Sequence, residues 1–222
     1  MNINFNRFLV LKVMLYGILI YFIYLLVLIT VQYIPIDYKV AFLNLKQKEI
    51  QLSHYKIAFF SHVYSSLLII ILGLTQFSKT IRQRFGFIHK LSGKLYVFLV
   101  LLIASPSGLI MAYYANGGSI GQVSFAILSI LWFVFTLQGF QYIKKGNYQK
   151  HKHFMIRSYA LTLSAISLRL FKFGIVTLFE LPPMDTYKIV SVLGWTVNLV
   201  IAELIIKASV VKKLRNRKTD LN

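Results

Sequence analysis

Six long apolar runs alternate with short polar segments along the chain, at residues 8–33, 57–77, 95–115, 122–143, 154–179 and 187–211. Each is close to or above the roughly 20 residues that a helix needs to cross hydrocarbon. Turn residues close the runs: Ile34-Pro35 after the first, Asn116-Gly117-Gly118 after the third, Lys145-Gly146-Asn147 after the fourth and Leu181-Pro182-Pro183 after the fifth. The pattern predicts an all-α fold, a polytopic membrane helical bundle of about six transmembrane helices, with residues 1–222 as a single integral membrane domain. The first run is too long for the apolar core of a secretory signal and no small-residue cleavage site follows it, so it reads as a retained helix.

Within this frame three stretches stand out. Residues 34–56 form the only long loop, where Phe42, Leu43 and Leu45 mix with Lys46 and Lys48, a composition suited to a segment lying in the membrane interface. Ser105-Pro106-Ser107-Gly108 interrupts the third span: the proline removes a backbone hydrogen bond and kinks the helix, and the two serines can re-satisfy the freed groups. There is no repeat of 20–50 residues, but His89-Lys90…Lys94-Leu95-Tyr96 is echoed by His151-Lys152…Arg157-Ser158-Tyr159. The echo fits an old duplication of helical hairpins, and it also fits the usual mix of cations and tyrosine at an inner membrane boundary.

Composition sharpens the membrane reading. Hydrophobic residues make up 57% of the chain and charged residues only 14%, against about 25% charged in a soluble domain. The net charge of +19 is placed by the positive-inside pattern and not as a nucleic-acid surface. Arg7, Lys12, Lys79, Arg82, Arg84, Lys90, Lys94, Lys144, Lys145, Lys150, Lys152, Lys212, Lys213, Arg215, Arg217 and Lys218 fall on one side. Lys39, Lys46, Lys48, Lys56 and Lys188 fall on the other, a bias of roughly three to one. The expectation is a multi-pass cell-membrane protein with both termini cytoplasmic, whose partners are anionic headgroups at the cytoplasmic face and not nucleic acid. The chain has no cysteine, which removes disulfides, iron–sulfur clusters and thiol catalysis.

Ionisable groups inside a span cost about 2.5–3.5 kcal/mol each on insertion scales, so each is a candidate for function. His62 opens a stripe of Ser65, Ser66, Ile69, Gly73 and Gln76 at helical spacing, which should face the bundle interior. It can be a metal or haem ligand, a proton carrier, or an interior histidine bonded to a neighbouring helix. His89 and His151 end two spans at similar depth, as two-imidazole haem ligation requires, and equally as headgroup contacts would be placed. No carboxylate stands near to complete another metal site. Arg169 lies about 22 Å along the fifth span, beyond the reach of snorkelling, and needs a cavity, an anion or a carboxylate. Glu203 can pair with Lys207 one turn on, or face Arg157 or Arg169. Two deep charges of opposite sign favour the Arg169–Glu203 pair. Walker, dinucleotide, HExxH and G-x-S-x-G motifs are all absent, so nucleotide and hydrolase chemistry have no local support.

The run Ser61-His62-Val63 to Gly73-Leu74-Thr75-Gln76-Phe77 is followed by His89-Lys90-Leu91-Ser92-Gly93-Lys94-Leu95-Tyr96, then by Ser107-Gly108, Gly117-Gly118 and Trp132. His151-Lys152-His153-Phe154-Met155-Ile156-Arg157-Ser158-Tyr159-Ala160-Leu161-Thr162 comes next, and the pattern closes on Leu168-Arg169-Leu170, with Trp195, Asn198, Ala202 and Glu203 as a tail. With these residues the chain resembles the bacterial membrane family known as domain of unknown function 2306, over a core of 57–211. His153 and Phe154 stand where that family more often has a cation and a tryptophan. The resemblance implies a bundle similar to the two-haem membrane cytochromes, which hold haem b between histidines of a four-helix core. His89 and His151 would be an inner ligand pair to the iron. His62 has no second outer histidine, since His54 precedes the same helix, so one haem or none fits the residues. Three readings follow. The first is a haem b redox protein with His62 as a proton or quinone contact and Arg169 on a propionate. The second is a scaffold or lipid-interacting subunit whose polar residues are interhelical glue. The third is a small-anion transporter built on Arg169 and the Pro106 kink.

Overall fold

The computed structural model describes the backbone of residues 7–219 and the side chains of residues 10, 11, 13, 14 and 16–211. Its helices are α1 (Arg7–Val31), α2 (Ser53–Phe77), α3 (Lys79–Arg84), α4 (Gly86–Leu99), α5 (Ser105–Tyr113), α6 (Gly118–Lys144), α7 (Tyr148–Thr162), α8 (Ser164–Phe179) and α9 (Pro183–Thr219). No strand occurs among the described residues. Successive long helices run antiparallel. The residue 34–52 segment, the end of α5 and the start of α9 therefore share one end, the cap end. The opposite end carries the lysines and arginines between α2 and α4 and between α6 and α7, and is the basic end.

Four continuous helices are long and apolar enough to cross a membrane: Ser53–Phe77, Gly86–Tyr113, Gly118–Lys144 and Pro183–Val211. The pair α7 and α8, bent by 41°, makes a fifth if the two helices form one broken span. Among the described residues the count is therefore four or five, against the six that the apolar runs suggest. The remaining run is α1, whose described apolar stretch is Tyr16–Val31 and whose earlier side chains lie partly outside the described residues. The first side chains of the expected span, such as Phe8, lie outside the described residues, as do those of Arg7, Lys12, Lys212, Lys213, Arg215, Arg217 and Lys218.

Outward-facing side chains of the long helices are large and apolar, including Leu68, Leu102, Ile130 and Leu204, as a lipid-facing surface requires. Inside, Ile69, Tyr96, Val100, Trp132, Tyr159 and Leu161 form the central core, where α2, α4, α6 and α7 meet. Helix α1 is peripheral and is seated by Leu26 against Ile70 and Ile166.

Two irregularities break the helical regularity of the core. Between α4 and α5, Val100–Ala104 forms a π turn immediately before Pro106. A widened turn and a proline together free carbonyls from the helix ladder. Ser107 returns to Ile103 O at 2.6 Å and to Ala104 O at 3.1 Å, whereas Ser105 turns away to Ser129 O of α6 at 2.6 Å. The second irregularity is the bend at Leu163. No proline or glycine marks it. The Thr162 hydroxyl bonds back to Ser158 O at 3.1 Å, the geometry that bends helices.

The 34–52 segment packs on the bundle and is not an isolated strip. It folds into two short 3₁₀ turns, Ala41–Leu45 and Glu49–Gln51, and buries Leu43 and Ile50 against Tyr33, Tyr55, Phe59 and Phe60. The chain here closes the end of the bundle.

Candidate functional site

Most polar residues of the core hold helices together. Tyr96 of α4 bonds through its hydroxyl to Ser158 and Thr162 of α7, both at 2.8 Å. Thr136 of α6 meets Ser158 at 2.7 Å, and Trp132 Nε1–H donates to Thr162 at 3.1 Å. In an apolar interior such a network is stable only when its members are satisfied, and here every hydroxyl has a partner. Tyr159 donates to Ile70 O at 3.1 Å and lies on Gly73, where an added Cβ would sit 2.2 Å from the ring. Gln76 donates to Ser92 at 2.6 Å, Trp195 to Ser124 at 2.9 Å and Asn198 to Ala160 O at 3.1 Å. The stripe from Ser65 through Ile69 to Gly73 does face the interior, as its spacing predicts.

One part of the interior is not filled. A cavity of about 200 Å³ lies beneath the cap, bounded by α2, α5, α6, the α7–α8 bend and the start of α9. Trp132 and Thr162 form its floor, shared with the hydroxyl network; His62, Ser66, Ser129 and Ser164 line its sides, and Phe42 and Lys46 come from the cap. His62 Nδ1 stands 2.8 Å from Ala104 O, one of the carbonyls at the π turn. A carbonyl only accepts, so Nδ1 carries the proton and Nε2 is left as a lone-pair acceptor. No hydrogen bond reaches Nε2 among the described residues. The Ser66 hydroxyl, one turn further along α2, is buried without a partner. Gly108 makes room for this arrangement, since a Cβ there would lie 3.0 Å from His62 Cε1 and 3.1 Å from Ser129 Oγ.

The cap is locked over the cavity by one buried cation. Lys46 is 3% exposed, and its ammonium donates to Tyr114 O at 2.6 Å and Glu49 Oε1 at 3.0 Å. Burial pulls the Glu49 carboxyl upward, but a backbone N–H, the Lys46 bond and the charges of Lys46 and Lys48 outweigh it and hold the group below the usual carboxylate range. Tyr114 is held in turn by His54 Nε2 at 2.7 Å from its hydroxyl.

The remaining sequence candidates lie elsewhere. Glu203 pairs with Arg157, not with Arg169: Arg157 Nη2 donates to Oε2 at 2.9 Å, Nε donates to Oε1, and the guanidinium packs on the rings of Phe154 and Phe135. Helical phase is the reason, since α7 turns Arg157 towards α9 whereas Arg169 lies beyond the bend at Leu163. Arg169 donates to Ala165 O at 2.6 Å on its own helix and reaches the protein surface. His89 and His151 stand at the basic end, away from the cavity. His151 Nδ1–H donates to Gly139 O at 2.8 Å, and His89 Nδ1 is buried without a partner. The charges of Arg82 and His151 both reach His89. No cluster of three or more His, Cys, Asp or Glu side chains that could hold a metal occurs among the described residues.

The family model described as "Predicted membrane protein (DUF2306)" matches residues 59–206. The chain belongs to this family. The match excludes α1 and the 34–52 segment and takes in most of the four continuous spans and the bent α7–α8 pair. In this DUF2306 protein the motif residues Ser92, Tyr96, Arg157, Ser158, Tyr159 and Thr162 are therefore those that tie the crossings together, while His62, Gly108, Ser129 and Trp132 are those that shape the cavity. No curated protein and no solved structure matches the chain.

Proposed function

We propose that this membrane protein binds a small hydroxylated ring, of the quinol or phenol class, in the cavity under its cap. The observation that carries this reading is the polarity of the cavity wall. His62 offers one neutral acceptor nitrogen whose orientation is fixed by Ala104 O. Ser66, Ser129 and Ser164 offer hydroxyls that can donate or accept. Aromatic side chains, among them Tyr55, Phe125 and Trp132, supply the apolar walls. A cavity of about 150 Å³ holds a benzene ring, so about 200 Å³ accommodates a substituted ring but not a porphyrin. A quinol hydroxyl would donate to His62 Nε2, and a serine hydroxyl would serve the opposite oxygen. The haem reading has less support: the cavity is bounded by neither His89 nor His151, and His89 presents a buried Nδ1 where ligation through Nε2 would want that nitrogen on a carbonyl. In the same reading the basic end faces the cytoplasm of a cell membrane, with the cap outside.

Trp132 supplies the assay, because it floors the cavity. Titration of nanodisc-embedded protein with a short-chain quinol should quench Trp132 fluorescence saturably, with Trp195→Phe present to remove the other tryptophan. His62→Leu should weaken binding at least tenfold, and Trp132→Phe should remove the signal. Quenching that is linear and indifferent to His62→Leu would end this reading. An absorption spectrum of the purified protein, oxidised and dithionite-reduced, should show no haem difference band; a sharp one would restore the cytochrome reading.

A second reading has its own observation. Gly108, two residues after Pro106, and Leu161, Thr162 and Ser164 around the bend at Leu163 line the cavity, and interrupted helices at a central site are the architecture of many carriers. Uptake of a labelled phenol into proteoliposomes, blocked by His62→Leu, would turn the binding protein into a transporter.

A further inference from the structure

The two ends of the cavity differ in what they offer a ligand. Towards the floor stands an acceptor, His62 Nε2, with Ser129 at the same level, since one added Cβ on Gly108 would lie 3.0 Å from the imidazole and 3.1 Å from the serine hydroxyl. The upper end is lined by Lys46, Tyr55 and Tyr187. Tyr55 and His62 are two turns apart on one face of α2, so their backbone positions are separated by about 10 Å along the helix axis. A ring whose hydroxyl meets His62 therefore leaves the upper end to a substituent of that ring.

The polar atoms of the upper end are donors with capacity to spare. Lys46 Nζ carries three hydrogens. Two go to Tyr114 O at 2.6 Å and Glu49 Oε1 at 3.0 Å, and the third has no partner among the described residues. Tyr55 packs edge-on against the same Tyr114, with ring centroids 5.3 Å apart. Neither the Tyr55 nor the Tyr187 hydroxyl makes a hydrogen bond among the described residues. Ser66 Oγ and His89 Nδ1 are sealed as well as unbonded, but the Tyr55 hydroxyl is not. Although Tyr55 is only 1% exposed, its hydroxyl keeps an open face on the cavity that it lines. Hydroxyls and an ammonium around one space call for an acceptor. Glu49 already balances the Lys46 charge, so a second carboxylate would be buried without a cation of its own, at a higher cost than a neutral oxygen.

We propose that the upper end of the cavity receives a carbonyl oxygen, held by the Tyr55 hydroxyl and the third hydrogen of the Lys46 ammonium. The ligand is then a hydroxyaryl carbonyl compound (a ketone, aldehyde or ester) whose hydroxyl meets His62 and whose carbonyl points to the cap. This inference rests on the reading of the cavity as a site for a hydroxylated ring and narrows the class of ring.

The test is isothermal titration calorimetry on the nanodisc-embedded full chain, with protein-free nanodiscs as the blank. Para-hydroxyacetophenone is compared with para-ethylphenol, of similar size without the oxygen, and with para-trifluoromethylphenol, whose hydroxyl is acidified without a carbonyl. The ketone should bind about tenfold more tightly than either, the worth of one or two hydrogen bonds. Tyr55→Phe keeps the aromatic wall and should bring that ratio to within about twofold. Lys46→Met should lower the ratio too, and carries the test if Tyr55→Phe fails to fold. Because each ratio is taken within one variant, a general loss of affinity does not imitate the effect. Equal binding of the three phenols, or a ratio that survives Tyr55→Phe, would overturn the carbonyl assignment and leave the ring-binding reading standing. Binding of none of them would overturn both. Para-hydroxybenzoate binding more tightly than the ketone would assign the upper end to a carboxylate and refute the neutral class.

Discussion

The hydroxyl knot and the cavity meet at Trp132 and Thr162, which belong to both. On one side, the hydroxyls of Tyr96, Thr136, Ser158 and Thr162 are all satisfied, by one another and by Trp132. On the other, within the same bundle, His62 Nε2 is unbonded and the Ser66 hydroxyl is buried without a partner. The residue types are alike and the membrane context is the same, so the difference is one of geometry. Where α4, α6 and α7 run regularly, side chains from facing helices meet at bonding distance. Next to the π turn and the Leu163 bend, polar groups are left to meet something else. Saturated polar clusters read as glue, and unsaturated ones beside open volume read as sites.

The comparison breaks most readily at its packed side. Gly73→Ala should be the most damaging of the changes compared, since the new Cβ would lie 2.2 Å from the Tyr159 ring. A loss of about 1–3 kcal/mol or more is expected for overpacking a rigid contact, visible as a lower thermal midpoint. Tyr96→Phe should follow, at about 1–3 kcal/mol for the buried partners it leaves. His62→Leu should barely move the midpoint while abolishing quinol binding. If it destabilises as much as Tyr96→Phe, His62 belongs with the glue and the contrast between the two sides disappears.

Smaller effects sharpen the picture around the two assemblies. A double-mutant cycle between Arg157→Gln and Glu203→Gln should show coupling of about 0.5–3 kcal/mol, whereas Arg169→Gln with Glu203→Gln should be additive within about 0.5 kcal/mol. The reverse result would restore the pairing that depth alone suggests. The smallest effect is that of pH on the cap. Glu49 sits below its ordinary value when folded, so its contribution is complete above that value. It fades as pH falls through the lower folded value. Lys46→Met should abolish this acid-side dependence of cap protection in amide exchange, and a persisting dependence would place the titration elsewhere.

Much of this architecture is legible in the amino-acid order alone. Apolar runs specify a membrane bundle, and helical spacing puts Ser65, Ile69 and Gly73 on one inward face. Ser105-Pro106-Ser107-Gly108 marks an irregular helix. What spacing does not carry is the phase of one helix against another. Arg157 and Arg169 are both cations of the same apolar run, and only the unmarked bend at Leu163 decides which of them faces Glu203. The cap is visible as a long loop, but its burial depends on Leu43 and Ile50 meeting Phe59 and Tyr55, a contact no periodicity encodes. By position in the chain Lys46 is an outer-side cation of the membrane boundary, and only the fold of the cap encloses it.

The π turn at Val100–Ala104 has a consequence for how this chain can change. Such a turn carries one more residue than the α-helix does, and each residue of an α-helix advances the spiral by about 100°. Deleting a single residue there would restore a regular helix and rotate α5 by about that angle. Gly108 and Ser107 would swing away from His62, and a new set of side chains would face the cavity. The cap end could thus acquire a different lining in one step, leaving the Tyr96–Ser158 tie on the far side of the deletion untouched.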